Sequence, residues 1–282
     1  MIGRRELLAL LPAAALAAKK ARLRTAICAY SFRTALQSKS MTYDDLVRLA
    51  VDVGADGLDV TVYWFPSTED SFLMPFRGLA YRHGVELYSI AVRTEMCRPT
   101  VELREKEIND VRKWVDVAAK LGAGHIRVFG GTVPKGETED TAAGWVVEIL
   151  KRASEYAGAR GVILGLENHG GITARAERIL DIVRKVNSPW VAVNLDTGNF
   201  NTNAYQQIEM MVPYAANVQF KSEVRDDKGQ RVESDWDRIV AMLAKGGYQG
   251  YLSLEYEARE DPAGAMPRLI GKLNQLARKH SG

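Results

Sequence analysis

Four strand-like segments in the second half of the chain each end with a polar side chain, and their shared parity is the strongest constraint on the fold. Side chains alternate between the two faces of a strand, so Leu164 and Leu166 occupy one face and Glu167 the other. The four polar residues are Glu167, Asp196, Gln219 and Glu255, in the segments 162–167, 191–196, 217–221 and 251–255. If these strands are parallel neighbours, their polar ends meet at one rim.

Strand-like and helix-like patterns alternate along the chain from about residue 24 onward. Apolar residues recur every three to four positions in the helical segments, and glycines often follow them as C-caps. Eight strand–helix units predict an α/β fold, a (β/α)8 TIM barrel formed as a single domain. The predicted strands are 25–32, 57–63, 86–92, 125–129, 162–167, 191–196, 217–221 and 251–255, and the predicted helices include 43–53, 102–121, 142–159, 174–186, 235–244 and 266–279.

A doubly wound parallel sheet is the competing architecture. Such a sheet buries both faces of its strands and favours continuous apolar runs, whereas the later strands here alternate apolar with small or polar residues. It would also normally carry a glycine-rich phosphate loop, which neither Gly130-Gly131 nor Gly170-Gly171 forms. The barrel is therefore the preferred prediction.

Composition limits the choice of partner. The chain has 282 residues, 46% of them hydrophobic, and a net charge of only +3. This length suits a single barrel, and the weak charge gives no strong attraction for nucleic acid. We expect a small-molecule partner and no nucleic acid partner. Cys28 and Cys97 are too few for a disulfide framework, so we expect both to be unpaired.

The first 18 residues have the pattern of an export signal. Arg4-Arg5 precede the short apolar run 7–11, and an Ala15-Leu16-Ala17 cleavage-type site follows. Paired arginines indicate the twin-arginine route, and the run is too short to span a bilayer. We expect residues 1–18 to be a signal peptide, residues 24–282 to form the barrel, and the mature protein to be periplasmic without a membrane span. An amphipathic first helix and a cytoplasmic location are the alternative.

The four rim residues form an oxygen-only donor set. Three carboxylates and one amide suit a hard divalent cation, Mn²⁺ or Mg²⁺, better than zinc. Without a cation, the carboxylates of Glu167, Asp196 and Glu255 would repel one another and raise one another's pKa values. We therefore predict that these three residues and Gln219 are metal ligands. A single strand-end carboxylate is more often solvated or a helix N-cap, so the prediction depends on the shared parity.

Four motifs surround these residues and resemble those of a known family. They are Leu166-Glu167-Asn168-His169, Leu195-Asp196-Thr197-Gly198-Asn199, Val218-Gln219-Phe220-Lys221 and Leu254-Glu255. These motifs are similar to the metal-binding motifs of the xylose isomerase-like TIM barrel superfamily, which includes sugar isomerases and epimerases, dehydratases and endonuclease IV. The resemblance covers most of the chain from about Arg24. It implies that the four rim residues match the family's Glu, Asp, His and Glu ligands.

Two residues depart from the family pattern. Asn199 stands where the superfamily commonly has a histidine after Asp-Thr-Gly, and Gln219 stands where it commonly has a metal-binding histidine. Asparagine cannot titrate, so residue 199 is expected to bind substrate and not to transfer a proton. With glutamine at this metal-binding position, the chain resembles 3-dehydroshikimate dehydratases, which use glutamine there. This similarity is compatible with metal binding but weakens the epimerase assignment.

The resemblance to ketose 3-epimerases implies roles for two carboxylates. In those enzymes two glutamates act on opposite faces of a substrate carbon, and Glu167 and Glu255 are the corresponding residues. A divalent cation would polarise the substrate carbonyl and stabilise an enediolate. Metal coordination also weakens a carboxylate as a base, so His169, on the loop after the fifth strand, is the alternative base. A loop histidine hydrogen-bonded to the backbone is the other interpretation of His169.

Two cations near the seventh strand are expected to bind substrate. Arg225 lies six residues after Gln219, an interval that in the epimerases separates the metal-binding histidine from a substrate-binding arginine. The segment around Arg225 is charge-rich, which is also typical of a solvated loop. Lys221 shares the parity of Gln219 and should face the barrel mouth, where a lysine needs an anionic partner. Tyr30 and Tyr63 near the early strand ends could stack on a sugar or pack in the core.

These features predict a divalent-metal-dependent sugar or keto-sugar isomerase or epimerase. A metal-dependent lyase or dehydratase, including one that carries out β-elimination on a keto-glycoside, shares the enolate intermediate and is the main alternative. A barrel that binds sugar without turnover is a further alternative, because histidine is missing at 199 and 219. An endonuclease IV-like activity would require a histidine-rich zinc site, and the chain has only four histidines.

Overall fold

The computed structural model describes residues 20–282, so the predicted signal peptide lies outside the described residues. The strands of this range are β1 (Leu23–Cys28), β2 (Gly57–Thr61), β3 (Glu86–Ala91), β4 (His125–Phe129), β5 (Ile163–Glu167), β6 (Val191–Asp196), β7 (Ala215–Phe220), β8 (Glu223–Arg225), β9 (Arg231–Glu233) and β10 (Gly250–Leu254). Its helices are α1 (Arg33–Ser38), α2 (Tyr43–Val53), α3 (Asp70–Arg82), α4 (Val101–Leu121), α5 (Glu139–Gly158), α6 (Ala176–Val186), α7 (Ala204–Met211), α8 (Trp236–Lys245) and α9 (Pro262–His280). Among these helices, none combines the length and apolarity needed to cross a membrane.

The barrel is closed, and its eight strands are parallel. Their order is β1-β10-β7-β6-β5-β4-β3-β2, and β1 pairs with both β10 and β2. A doubly wound sheet would leave two unpaired edge strands, so it is excluded. The predicted single-domain TIM barrel is confirmed.

Several elements differ from the sequence prediction. The helices α1, α3 and α7 and the antiparallel hairpin β8–β9 were not predicted. Pro75 lies inside α3, and a proline normally signals a helix end, which explains why this helix had no clear pattern. Phe32 and Tyr63 lie in short 3₁₀ helices and not in strands, because the chain turns away at the rim after Cys28 and Thr61.

Local sequence sets the helix ends. Thr42 and Asp45 form a capping box at the start of α2, in which each side chain accepts a backbone N–H of the other residue. The helix ends at Gly54, whose φ is 70°, and α4 ends in the same way at Gly122, whose φ is 81°. A left-handed backbone favours glycine because it has no Cβ. Both caps turn the chain toward its next strand and so help to fix where that strand begins.

The strands are apolar on their outer face and polar inside the barrel. Leu164 and Leu166 belong to the buried apolar core. Gln219 Nε2 donates to Asp59 Oδ2 at 3.4 Å. Because β7 and β2 are not neighbours in the barrel, this contact crosses the interior. The alternation predicted from the sequence therefore has the expected inward direction on β7.

Gly165 of β5 provides a test of the interior packing. A Cβ at this position would lie 2.2 Å from His125 Nε2 and 3.1 Å from the Cβ of Asn194. We expect Gly165→Ala to lower the free energy of unfolding by about 1–3 kcal/mol through overpacking, measured by urea denaturation. Gly144→Ala on α5 is the control, because a Cβ there meets nothing within 4 Å and should stabilise the helix by about 0.5–1 kcal/mol. Unchanged stability of Gly165→Ala would contradict this packing.

Candidate active site

Three buried carboxylates meet at the C-terminal rim of the barrel. Glu167 ends β5, Asp196 ends β6 and Glu255 directly follows β10. Each residue is at most 7% exposed. The C-terminal ends of parallel strands lie at the same end of a barrel, which is where active sites of this fold are built. The rim is therefore the candidate active site.

Arg127 of β4 is the cationic partner of Glu167. Its Nε lies 3.0 Å from Glu167 Oε2, and both side chains are at most 4% exposed. Arg127 also donates to the Tyr63 hydroxyl at 3.1 Å and to the carbonyl of Val92 at 3.2 Å. Burial raises the pKa of Glu167 well above its usual value, and the attraction of Arg127 only partly opposes this rise. Arg127 therefore favours the ionised form of Glu167, whereas burial favours the neutral form.

Lys221 is the cation on the other side of the rim. Its Nζ lies 2.6 Å from Glu255 Oε1 and 3.4 Å from Asp196 Oδ2, and it also contacts Glu257. Burial would raise the pKa of Glu255, but Lys221, with help from Arg127 and Cys28, holds this pKa below its usual value. Burial raises the pKa of Asp196 to about 7, with Lys221 opposing the rise. The single ammonium group of Lys221 thus pairs with three carboxylates at once.

When all of its groups are ionised, the site carries more buried negative than positive charge. The buried carboxylates are Asp59, Glu167, Asp196 and Glu255, and the buried cations opposite them are Arg127 and Lys221. Glu167 Oε2 and Asp196 Oδ2 are buried without a directed hydrogen bond. The excess negative charge matches one divalent cation, and carboxylate oxygens are hard ligands, so the residues fit Mn²⁺ or Mg²⁺. Within residues 20–282, no three His, Cys, Asp or Glu side chains already have the arrangement of a metal site.

Gln219 and Asn199 make hydrogen bonds to neighbouring polar side chains. Gln219 Oε1 accepts from Asn194 Nδ2 at 2.8 Å, and its amide nitrogen donates to Asp59. Its side chain lies in the polar interior below the rim, and ligation of a metal by Gln219 stays a prediction. Asn199 Nδ2 donates to Glu167 Oε1 at 3.1 Å, so it orients this carboxylate. Substrate binding by Asn199 also stays a prediction.

A cavity of about 340 Å³ opens beside the carboxylates. Its walls include Glu167, Glu255, His169, Tyr30 and Tyr63. His169 packs on Phe129, with the ring centroids 4.1 Å apart. Burial, followed by the charge of Arg127, lowers the pKa of His169, which favours the neutral imidazole. A lining that combines acidic groups with aromatic rings suits a polar ligand with an apolar face.

Arg225 borders a second, smaller space. The hairpin β8–β9 borders a crevice of about 70 Å³, which is lined by Lys221, Arg225, Glu255 and Glu257 among others. Arg225 Nη1 donates to the carbonyl of Gly229 at 2.8 Å within the hairpin. Glu255 borders both the crevice and the larger cavity. Substrate binding by Arg225 therefore stays a prediction.

Three residues of the site were not predicted from the sequence. Arg127 is a charged residue between Ile126 and Val128 in a strand, and this pattern could have identified it as inward-facing. Glu257 has the same parity as Glu255 and could have been found in the same way. Cys28 Sγ donates to Glu255 Oε2 at 3.2 Å, a contact for which the sequence held no signal. Cys28 and Cys97 are both free, as predicted.

Residues 47–276 match the family model described as "Xylose isomerase-like TIM barrel". The matched range includes all three rim carboxylates and Gln219. It begins before β2 and ends within α9. The match therefore covers most of the barrel.

Two curated relatives match parts of the chain. The C-glycoside deglycosidase alpha subunit of Microbacterium trichothecenolyticum is 27% identical over 179 residues, which are 60% of this chain and 45% of that protein. The probable endonuclease 4 of Haloarcula marismortui is 38% identical over 72 residues, which are 25% of this chain and 26% of that protein. The chain thus matches less than half the length of each relative.

Solved structures share the fold. The IOLI protein with a binding zinc atom has a TM-score of 0.74 and 15% identity, over 91% of this chain and 99% of that chain. A xylose isomerase-like TIM barrel protein from Mycobacterium smegmatis in complex with magnesium has a TM-score of 0.72 and 17% identity, over 91% and 97%. D-Psicose 3-epimerase with D-tagatose from Clostridium cellulolyticum H10 has a TM-score of 0.69 and 17% identity, over 91% and 95%. At these identities the likeness shows the fold alone.

The pair of Arg127 and Glu167 gives a prediction for stability. Arg127→Met would leave Glu167 buried without its cation, so we expect the free energy of unfolding to fall by about 3–5 kcal/mol in chemical denaturation. The double variant Arg127→Met/Glu167→Leu should recover most of this loss. Arg175→Met is the control, because Arg175 pairs with Glu139 at the surface at 2.7 Å and should cost less than about 1 kcal/mol. Equal losses in the two arginine variants would contradict the pairing.

Proposed function

The chain belongs to the xylose isomerase-like TIM barrel family, and we propose that it is a divalent-metal-dependent isomerase or epimerase of a sugar or keto-sugar. The observation that carries this proposal is the cavity of about 340 Å³, in which Glu167 and Glu255 stand near His169 and aromatic rings. Carboxylates and an imidazole that line one pocket suit proton transfer at a carbon next to a carbonyl. A D-psicose 3-epimerase has the same fold, which supports this reaction class.

The rim carboxylates are the proposed metal ligands. Glu167, Asp196 and Glu255 would hold Mn²⁺ or Mg²⁺, with Gln219 as the fourth ligand, because all of these donors are oxygens. When bound, a divalent cation would polarise the substrate carbonyl and stabilise negative charge on its oxygen. The structures of the same fold with magnesium and with zinc support a metal-binding barrel.

Glu167 and Glu255 are proposed to exchange protons with the substrate. They stand on different walls of the cavity, because β6 and β7 separate β5 from β10. One carboxylate would take the proton from the substrate carbon, which leaves an enediolate, and the other would return a proton to the opposite face. Asn199 holds Glu167 by a hydrogen bond, so this carboxylate is oriented before the substrate arrives.

The aromatic wall favours a carbohydrate. Tyr30 and Tyr63 line the cavity and pack edge to face, with their ring centroids 6.4 Å apart. Aromatic faces bind the apolar C–H face of a sugar well. If residues 1–18 direct export, as we also propose, the enzyme would meet free sugars, keto-sugars or glycosides more often than sugar phosphates.

A metal-dependent lyase is the second candidate. The similarity to a C-glycoside deglycosidase alpha subunit favours it. In this reaction His169 or a carboxylate takes the same proton, and the electron pair left on the carbon expels a β-substituent. The lyase needs one group that abstracts the proton, whereas the epimerase also needs a second group that donates a proton to the opposite face of the same carbon. The two reactions therefore differ in their products and in the number of groups that they require.

Metal binding is tested by calorimetry on ion-free protein. We expect one Mn²⁺ per chain, and Asp196→Asn should weaken binding at least about tenfold because it removes a negative charge from the site. Asp237→Asn is the matched control, since Asp237 pairs with Lys279 and His280 at the surface. Gln219→Leu should also weaken binding if the amide oxygen is a ligand. Equal affinity in the wild type and in Asp196→Asn would contradict the proposed site.

The reaction is tested by incubation with ketoses and keto-glycosides in D₂O with Mn²⁺. Deuterium incorporation with epimer formation supports the epimerase, whereas loss of water or of an aglycone supports the lyase. Glu255→Gln should slow exchange by about 10²–10⁴-fold, because it removes a proposed acid–base group. Glu260→Gln, which changes an exposed carboxylate paired with Arg268, should leave exchange unchanged. Sugar binding without any exchange would favour a binding protein over both reactions.

A further inference from the structure

The ammonium group of Lys221 occupies a place among carboxylates that a divalent cation would also need. Its Nζ lies 2.6 Å from Glu255 Oε1 and 3.4 Å from Asp196 Oδ2, and it makes a short contact to Glu257 Oε2. The backbone of Lys221 is fixed, because its N–H donates to Thr197 Oγ1 at 2.9 Å. The charged end is carried on a flexible four-carbon stem, so it can move while the backbone stays in place.

The three carboxylates around Lys221 are not equivalent. The side chains of Asp196 and Glu255 are 1% and 9% exposed, whereas that of Glu257 is 39% exposed. Glu257 lines the small crevice but not the larger cavity. Asp196 and Glu255 are therefore an inner pair, and Glu257 is an outer partner on the side away from the cavity.

We propose that Lys221 and a divalent cation compete for Asp196 and Glu255, and that Glu257 is the carboxylate to which the ammonium withdraws when the cation binds. This inference rests on one part of the proposed function, namely that the rim carboxylates bind a divalent cation. Lys221 would then set the metal affinity of the site. It would also keep the inner carboxylates paired in ion-free protein.

The competition follows from electrostatics in a buried site. A dication bound to Asp196 and Glu255 would lie within a few ångströms of the present position of the ammonium, and like charges repel strongly where water is excluded. Removing the charge of Lys221 should therefore strengthen metal binding. Removing the charge of Glu257 should weaken it, because the ammonium would lose its outer partner and stay on the inner pair.

The experiment measures Mn²⁺ affinity by calorimetry, and thermal unfolding with and without Mn²⁺ provides a second readout. Lys221→Met should tighten binding at least about tenfold and enlarge the rise in melting temperature on Mn²⁺ addition. Glu257→Gln should weaken binding at least about threefold. In the double variant Lys221→Met/Glu257→Gln, the Mn²⁺ affinity should differ from that of Lys221→Met by less than about twofold, because Glu257 acts through Lys221. Lys279→Met is the matched control at a surface pair with Asp237.

Each outcome decides between the alternatives. If Lys221→Met binds Mn²⁺ more weakly than the wild type or equally well, Lys221 does not compete with the cation. If Glu257→Gln lowers the Mn²⁺ affinity equally with and without the Lys221 charge, Glu257 is a direct metal ligand and not a partner of Lys221. If the wild type binds no Mn²⁺ but Lys221→Met does, the competition stands and the proposed metal-dependent function fails. If no variant binds Mn²⁺, both fail. If Lys221→Met refolds only when Mn²⁺ is present, the competition is supported. If Lys221→Met does not fold at all, the Glu257→Gln variant decides: Mn²⁺ affinity equal to that of the wild type would overturn the competition.

Discussion

The buried carboxylates at the barrel rim need partners that stabilise their negative charge, and the rest of the site is arranged around this need. A carboxylate removed from water needs an opposite charge or hydrogen-bond donors, and removing one member of a buried pair costs more than the pair itself contributes. Here the cations come from neighbouring strands. Arg127 of β4 forms an ion pair with Glu167 of β5, and Lys221 after β7 forms one with Glu255 after β10. The geometry of the site therefore depends on correct strand order and register. Fold and chemistry are linked through these two ion pairs.

The floor beneath the rim is a connected network of polar side chains. Asn217 donates to Asn194 at 2.8 Å, Asn194 donates to Gln219 at 2.8 Å, and Gln219 donates to Asp59 at 3.4 Å. A buried polar group without a partner is costly, so a network in which these amides satisfy one another favours a single arrangement. It joins β6 and β7 to β2, which lies far away in the sequence. The rim groups thus stand on a floor that limits how far they can move.

The strands and their inward side chains could be predicted because alternation is a local property of the sequence. The bounds of β4 and β6 agree with the predicted segments 125–129 and 191–196. The contacts of Gln219 could not be predicted in this way, because they depend on Asp59 and Asn194 on other strands. The hairpin β8–β9 was missed because each of its strands has only three residues, too few for a periodic pattern. Parity identifies the face of a side chain, whereas its partners are set by tertiary structure.

Three inward side chains follow one another from floor to mouth on β7 and just beyond it: Asn217, Gln219 and Lys221. The residues between them, Val218 and Phe220, are fully buried in the apolar core. Because the side-chain period of a strand is two, inserting or deleting one residue here would exchange the two sets. The hydrophobic pair would turn inward and three polar groups would be forced against the helices. Over evolution this strand should therefore accept changes of residue identity far more readily than any change of its length.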